Sequence, residues 1–250
     1  MQKTSNSYIL VFVIVLAVFS ASILAFVSES LRPLQNANIA LEQKKSILTT
    51  FMGEAVTAKM EKDMISSSYD SKVKSVVIDF NGKILPDLTV EKVSVAKEYK
   101  EELKSRKLPV YEIYDNNNQL EYVVLPVYGY GLWDNIWGYV ALEKDLQTIK
   151  GVVFAHKGET PGLGSRIATD DIQNRYIGKK IKDEKGSIVS VVMQKGEKGG
   201  GAASIAAFES NPYEVDGMSG ATITGKGVNQ MLNDYFICYE NYFKSKNNPN

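Results

Sequence analysis

Residues 8–27, "YILVFVIVLAVFSASILAFV", run without a single charged side chain. A helix of that length rises about 30 Å, the thickness of a bilayer's hydrocarbon core. No other feature of the chain constrains its fold so tightly, because a segment this apolar is either sunk in lipid or removed. Removal as a signal peptide is the competing reading, since Ser20-Ala21-Ser22 loosely resembles a small-residue cleavage site. The apolar run continues past that point and exceeds the hydrophobic region of an ordinary signal. The expectation is a single-pass anchor at 8–27, preceded by a short N-terminus at 1–7. Lys3 precedes the span, and Arg32, Lys44 and Lys45 follow it. That bias does not choose a side, and long domains translocate largely regardless of charge.

The chain beyond the anchor is long enough to bury a substantial core. Lys plus Arg and Asp plus Glu each number 29. The balance argues against nucleic acid as a partner, because phosphate neutralisation needs a basic field. Cys238 is the only cysteine and His156 the only histidine. An intrachain disulfide, a thiolate cluster and a CxxC redox pair are thereby excluded, with most zinc, haem and iron–sulfur sites. No metal site is expected.

After the anchor, Leu34, Ala37, Leu41, Leu48, Met52 and Ala55 recur at helical spacing behind Pro33. This predicts an amphipathic stalk within 28–70, leading into a soluble domain at 71–250. "KSVVIDFNGK" reads as a strand entering an Asn-Gly turn, and residues 93–106 as a charged helix. "PVYEIYDNNNQLEYVVLPVYG" reads as two strands around a polar turn, and "IWGYVALE", "IKGVVFAHK" and "GSIVSVVMQK" as three more. The fold class is therefore α+β, a mainly antiparallel sheet packed by helices, rather than a series of βαβ units. Residues 196–204, "GEKGGGAAS", are expected to form a flexible loop. A last helix should begin near Lys226, with Val228, Leu232, Tyr235, Tyr239 and Tyr242 on one buried face. Those aromatics read as core rather than as an electron relay, and Cys238 as an inert buried thiol.

The chemistry concentrates in residues 218–232, "MSGATITGKGVNQML". Gly220 to Lys226 fits G-x-x-x-x-G-K, but Gly227 stands where a P-loop needs Ser or Thr. The polar "NPYEVDG" before it is also not the apolar strand that feeds such a loop. A nucleophile elbow at Ser219 fails on order, since His156 precedes it and no histidine follows. What remains suits a phosphate. Gly220 and Ala221 let backbone amides approach an anion, and the helix behind them presents free N–H groups and a positive dipole end. Ser219, Thr222 and Thr224 supply hydroxyls, and Lys226 a positive charge. In an extended stretch Thr222 and Thr224 would share one side. A plain glycine-rich turn capping a helix is the bland alternative.

These residues resemble a known family. Residues 213–228, "YEVDGMSGATITGKGV", are similar to the flavin-attachment segment of the FMN-binding domain family. "GYGLWDNIWGYVAL", "HKGETPGLGSRI" and "GGGAAS" resemble three further blocks of that family, in the family's order. The resemblance implies FMN esterified through its phosphate to the last threonine of S-G-A-T-x-T, here Thr224. It implies that Ser219, Gly220, Ala221 and Thr222 shape the phosphate and ribityl pocket. Glu159, Thr160, Pro161, Gly162, Leu163 and Gly164 would line the ring, with Leu132 and Trp133 shielding it. His156 is expected to be structural. Gly225-Lys226 departs from the small polar residues expected after the acceptor.

The pattern resembles the C-subunit type of sodium-translocating NADH:quinone oxidoreductases, with the G-type subunits of Rnf ferredoxin:NAD+ complexes as competitor. The resemblance implies an electron-relay subunit with no independent catalysis, partnered by the other subunits of its complex. It implies the bacterial cytoplasmic membrane, with the soluble domain in the periplasm and residues 1–7 in the cytoplasm. A flavin transferase using FAD and Mg2+ would attach the cofactor. A membrane-anchored module holding a phosphorylated ligand non-covalently is the remaining alternative.

Overall fold

The computed structural model describes residues 6–115 and 117–247. Lys3, with the rest of 1–5, and Asn116 of the Asn-rich turn lie outside them. The chain divides into a unit ending at Gln43 and a unit from Lys44 onward. Helix α1, Asn6–Met52, is one unbroken helix, so anchor and stalk are not separate helices. Pro33 lies inside it rather than at a helix start. The most apolar stretch of α1 has none of its residues buried, as lipid contact requires and water would not tolerate.

In the second unit the expected stalk is three helices, the end of α1, α2 (Glu54–Thr57) and α3 (Lys62–Lys72). The break falls at Gly53, whose φ of +85° ends the first helix. Five strands follow, β1 (Val73–Ile78), β2 (Leu108–Tyr114), β3 (Leu120–Tyr130), β4 (Asn135–Glu143) and β5 (Ile149–His156). They pair antiparallel in the order β1-β2-β3-β4-β5, which bears out the expected sheet.

Residues 93–106 do not form one helix. Only α4, Val95–Glu98, and one short 3-10 turn, Leu103–Ser105, appear there. Arg106 is the cause: its Nη2 donates to the Tyr99 carbonyl at 2.9 Å and its Nε to that of Glu101 at 3.2 Å. These are carbonyls a continuing helix would have used. "GSIVSVVMQK" contributes only β6, Val192–Met193, paired in parallel with β7, Glu214–Val215. Ser190, at a φ of +61°, interrupts the extended run just before β6. Residues 196–204 are not simply loop either. Helix α6, Gly201–Ala207, begins inside them, and its buried Ser204 donates to Asp216 Oδ2 at 2.6 Å.

The final helix α7, Thr222–Asn247, starts one turn earlier than Lys226. Val228, Leu232, Tyr235, Tyr239 and Tyr242 are buried against the sheet as expected, and Cys238 lies among them. Burial pushes the Cys238 thiol up to about 11, which keeps it protonated and unreactive. The sheet is covered on both faces. Val123, Leu125 and Val127 face α7, whereas Val124 turns the other way to meet Ile47, Ile113 and Ala141. Burial on both faces explains the continuous apolar run of β3.

Two polar assemblies fix α7 at its ends. At its C-terminal end, Tyr242 Oη donates to Glu112 Oε1 at 2.6 Å, and Lys246 Nζ lies 2.7 Å from the same oxygen. Tyr114 Oη donates to the other carboxylate oxygen at 2.7 Å. Burial alone would raise the pKa of Glu112, but the Lys246 and tyrosine donors override it and lower it. Before the N-terminal end, Arg166 grips Glu197 through Nη1 at 2.7 Å and Nη2 at 2.6 Å. Buried Arg175 adds 2.8 Å to Glu197 and 2.7 Å to the Gly217 carbonyl, while Ser219 N–H donates to Glu197 at 3.2 Å.

Tyr242→Phe removes a buried donor to a charged acceptor and is expected to cost about 1.5–3 kcal/mol, read from denaturant unfolding. The second assembly predicts a pH dependence. The Arg166 guanidinium holds the Glu197 carboxyl down to about 2, against 4.5 for a free group. Because the folded value is depressed, its contribution is complete above about 4.5 and disappears as pH falls toward about 2. Melting temperature should drop through that window, and Glu197→Gln should be less stable above it and flatter within it.

Candidate functional site

The first turn of α7 is built from residues with no side-chain cap. The Ala221 carbonyl accepts Gly225 N–H at 3.0 Å, which makes Ala221 the residue flanking the helix. The N–H groups of Thr222, Ile223 and Thr224 then have no carbonyl one turn behind them. Gly220, at a φ of +73°, turns the chain into this position. Three free amides and a positive dipole end converge there, an arrangement suited to a phosphate.

Because the helix begins at Thr222, "TIT" is helical and not extended. Successive residues turn by 100°, so Thr222 and Thr224 point about 200° apart rather than to one side. The structure separates them accordingly. Thr222 is partly exposed and Ile223 is exposed, whereas Thr224 is 1% exposed. The Thr224 hydroxyl donates to Glu159 Oε2 at 2.5 Å, inside the protein. Ser219 and Gly220 stand exposed beside Thr222, and Ala221 is buried beneath.

The E-T-P-G-L-G turn meets α7 through Glu159. Its Oε1 accepts Trp133 N–H at 3.0 Å, so one carboxylate joins three segments distant in sequence. Trp133 Nε1 donates to Thr160 Oγ1 at 3.1 Å, which ties the glycine-tryptophan segment to the same turn. Gly164 is buried against both the Glu159 carboxylate and the Thr224 hydroxyl, and Gly131 packs on Glu159. A side chain at either glycine would displace that carboxylate. Gly162 takes a φ of +76° next to exposed Pro161, and its N–H donates to Ser165 Oγ at 3.1 Å. His156 Nδ1 accepts Glu159 N–H at 3.3 Å, a structural contact.

Above this polar base lies an apolar rim. Trp133 is 69% exposed, Ile223 56%, Leu132 44% and Leu163 41%. Leu163 lies against Gly220, where a Cβ would come within 2.8 Å of its Cδ2. Lys226 does not join the cluster. It is exposed, turned away from Thr224 by helix geometry, and lines a separate groove with Ser190, Asn229 and Asn233. Sequence reasoning missed Glu197 as the acceptor of Ser219 N–H. Glu197 is a single acid in a glycine-rich run, and no local pattern marks its distant arginine partners.

Residues 131–236 match the model of the FMN-binding domain family. Over nearly its whole length the chain is similar to the C subunits of Na(+)-translocating NADH-quinone reductases. The identity is 28% to that of Haemophilus ducreyi, covering 94% of this chain and 91% of the relative. It is 29% to that of Pseudomonas aeruginosa, covering 92% and 91%. Among solved structures, the C subunit from Parabacteroides distasonis superposes with a TM-score of 0.70 at 28% identity, over 86% of this chain and 98% of that one. NqrC from Shewanella oneidensis gives 0.66 at 27%, over 82% and 96%. Matched segment, fold and relatives along nearly the whole chain agree: residues 131–236 match the FMN-binding domain family, and the chain as a whole is similar to these C subunits.

Proposed function

We propose that this chain is the flavin-bearing electron-relay subunit of a membrane-bound, sodium-translocating NADH:quinone oxidoreductase, carrying FMN as a phosphoester on Thr224 at the N-terminus of α7. The observation that carries the reading is the pairing of a phosphate-suited helix end with an exposed apolar rim. The free amides of Thr222, Ile223 and Thr224 suit the phosphate, and Trp133, Leu132 and Leu163 suit a flat aromatic ring. The residues present therefore fit FMN. The full-length relatives favour the C-subunit type over the Rnf G-type.

Two threonines stand at this helix end, and direction favours Thr224, the last of S-G-A-T-x-T. Its hydroxyl faces the E-T-P-G-L-G turn, which bears Leu163 and is tied to Trp133 through Glu159 and Thr160. A tether on that oxygen keeps the cofactor on the side of the rim, whereas Thr222 turns about 200° away from Glu159. Because the Thr224 hydroxyl is buried, attachment requires the first turn of α7 to open. That turn has no capping side chain, and helix ends fray. The bound flavin supplies electron acceptance and release. The chain's residues tether it, cover part of its ring and set the surrounding charge, with no acid, base or nucleophile required in turnover.

The reading includes a flavin transferase as maturation partner, using FAD and Mg2+, and the other subunits of the complex as lasting partners. Residues 8–27 cross the bacterial cytoplasmic membrane, with 1–7 inside and the domain from 71 onward in the periplasm. Outside the cytosol free FMN is scarce, so a covalent tether prevents irreversible loss. Among the described residues no cluster of three or more His, Cys, Asp or Glu could hold a metal ion.

The chain co-produced with a flavin transferase should fluoresce as a yellow band on a denaturing gel, and the signal should vanish in Thr224→Ala. Thr222→Ser should retain it. Peptide mass spectrometry should place the added FMN, less one water, on Thr224. Placement on Thr222 would move the ester and leave the flavoprotein reading standing. A wild-type chain of bare polypeptide mass, made beside a transferase that loads another substrate, would sink the reading itself.

A further inference from the structure

Three carboxylates are buried among the described residues, and two of them have a cation. Glu112 lies 2.7 Å from Lys246, and Asp216 lies 4.0 Å from Arg175. Glu159, 4% exposed, has none within ion-pair distance. Its two oxygens accept from neutral donors, Trp133 N–H and the Thr224 hydroxyl. An ionised carboxylate is costly to bury without a cation beside it. Its location is equally specific. Trp133, which donates to Glu159, and Thr160, its neighbour in the chain, are hydrogen-bonded to each other at the rim above it.

We propose that Glu159 is a fixed, unneutralised negative charge beneath the flavin site and that it lowers the reduction potential of the bound flavin. The inference rests on the flavoprotein reading above. An electron entering the ring system adds negative charge to it. A nearby anion opposes that addition, and the opposition is felt strongly only where water and salt cannot screen it. Glu159 meets that condition because Gly131 and Gly164 close over the carboxylate and leave no room beside it. Trp133 N–H holds the charge in place without cancelling it. Esterification of Thr224 takes away the second donor and brings an anionic phosphate rather than a cation, so the charge stays unmatched.

The test uses the full chain in detergent, loaded by co-production with a flavin transferase. The midpoint potential is measured by spectroelectrochemical titration at neutral pH for wild type, Glu159→Gln and Glu159→Asp. Glu159→Gln keeps the size and polarity of the side chain and removes its charge, so its potential should rise. Glu159→Asp keeps the charge and should stay nearer to wild type. The rise should persist at high salt, as a surface charge effect would not. An unchanged potential in loaded Glu159→Gln overturns the proposal, as does an equal rise in Glu159→Asp. Loss of flavin from Glu159→Gln alone overturns it too, since the charge would then serve attachment. Loss from both variants assigns the carboxylate to structure and also overturns it. Absence of flavin from the wild type is a different failure, that of the flavoprotein reading.

Discussion

The packing of α7 on the sheet sets everything else in the domain. The helix buries Val228, Leu232, Tyr235, Tyr239 and Tyr242 in one column. Each large side chain fully buried is worth about 1.5–3 kcal/mol, so this contact outweighs any single polar link at the site. The body of the helix behind the phosphate-suited end is thus held by the core itself. Its close approach depends on glycines. A Cβ at Gly227 would strike the Tyr130 carbonyl at the end of β3, and one at Gly129 would meet Met231 Cβ at 2.9 Å. Gly227 is a packing residue, and its failure to match a P-loop has a structural reason. Gly225 likewise faces Met193 Sδ at 3.0 Å, so the departure after the threonines serves packing rather than phosphate contact.

Two carboxylates hold the segment around the start of α7, and they differ in how their charge is met. Glu197 grips Ser219 N–H from the outside and is neutralised by Arg166 and Arg175. It positions the chain without adding net charge. Glu159 holds Thr224 from the inside, with neutral donors only. A purely mechanical link would have been stabler with a cation or an amide in that place. The contrast separates a clasp from a charge with an electrostatic effect on the site.

Much of this was legible in the sequence where local pattern and tertiary demand coincide. The uncharged run at 8–27, the strands β2 to β5 and the buried face of α7 all follow from periodicity that the packing then uses. The failures have one physical source. The start of α7 carries no Ser, Thr, Asp or Asn cap, since Ala221 flanks it, so the turn at Thr222 had no signal. Residues 93–106 looked helical by charge spacing, yet Arg106 drew their carbonyls into a compact turn. Helix α6 hid in a glycine run because Asp216, distant in sequence, anchors its Ser204. In each case tertiary context overrode or replaced the local signal.

The same helical geometry gives T-x-T its meaning. In a strand the two threonines would have been equivalent, two chances at one bond. At a helix start they diverge by about 200°, so one hydroxyl meets solvent and the other meets Glu159. A cofactor tied to the outer oxygen would ride on the least constrained side of an uncapped turn. Tied to the inner oxygen, it is held against the turn that Glu159 links to Trp133. The cost of a tether there would be access, since an enclosed hydroxyl can be modified only while the first turn is open. Reach and rigidity are opposing demands on any site that must be modified once and then hold its cofactor still. An uncapped end on a firmly packed helix meets them in sequence: the first turn can open alone, because the column from Val228 to Tyr242 keeps the rest of α7 in place.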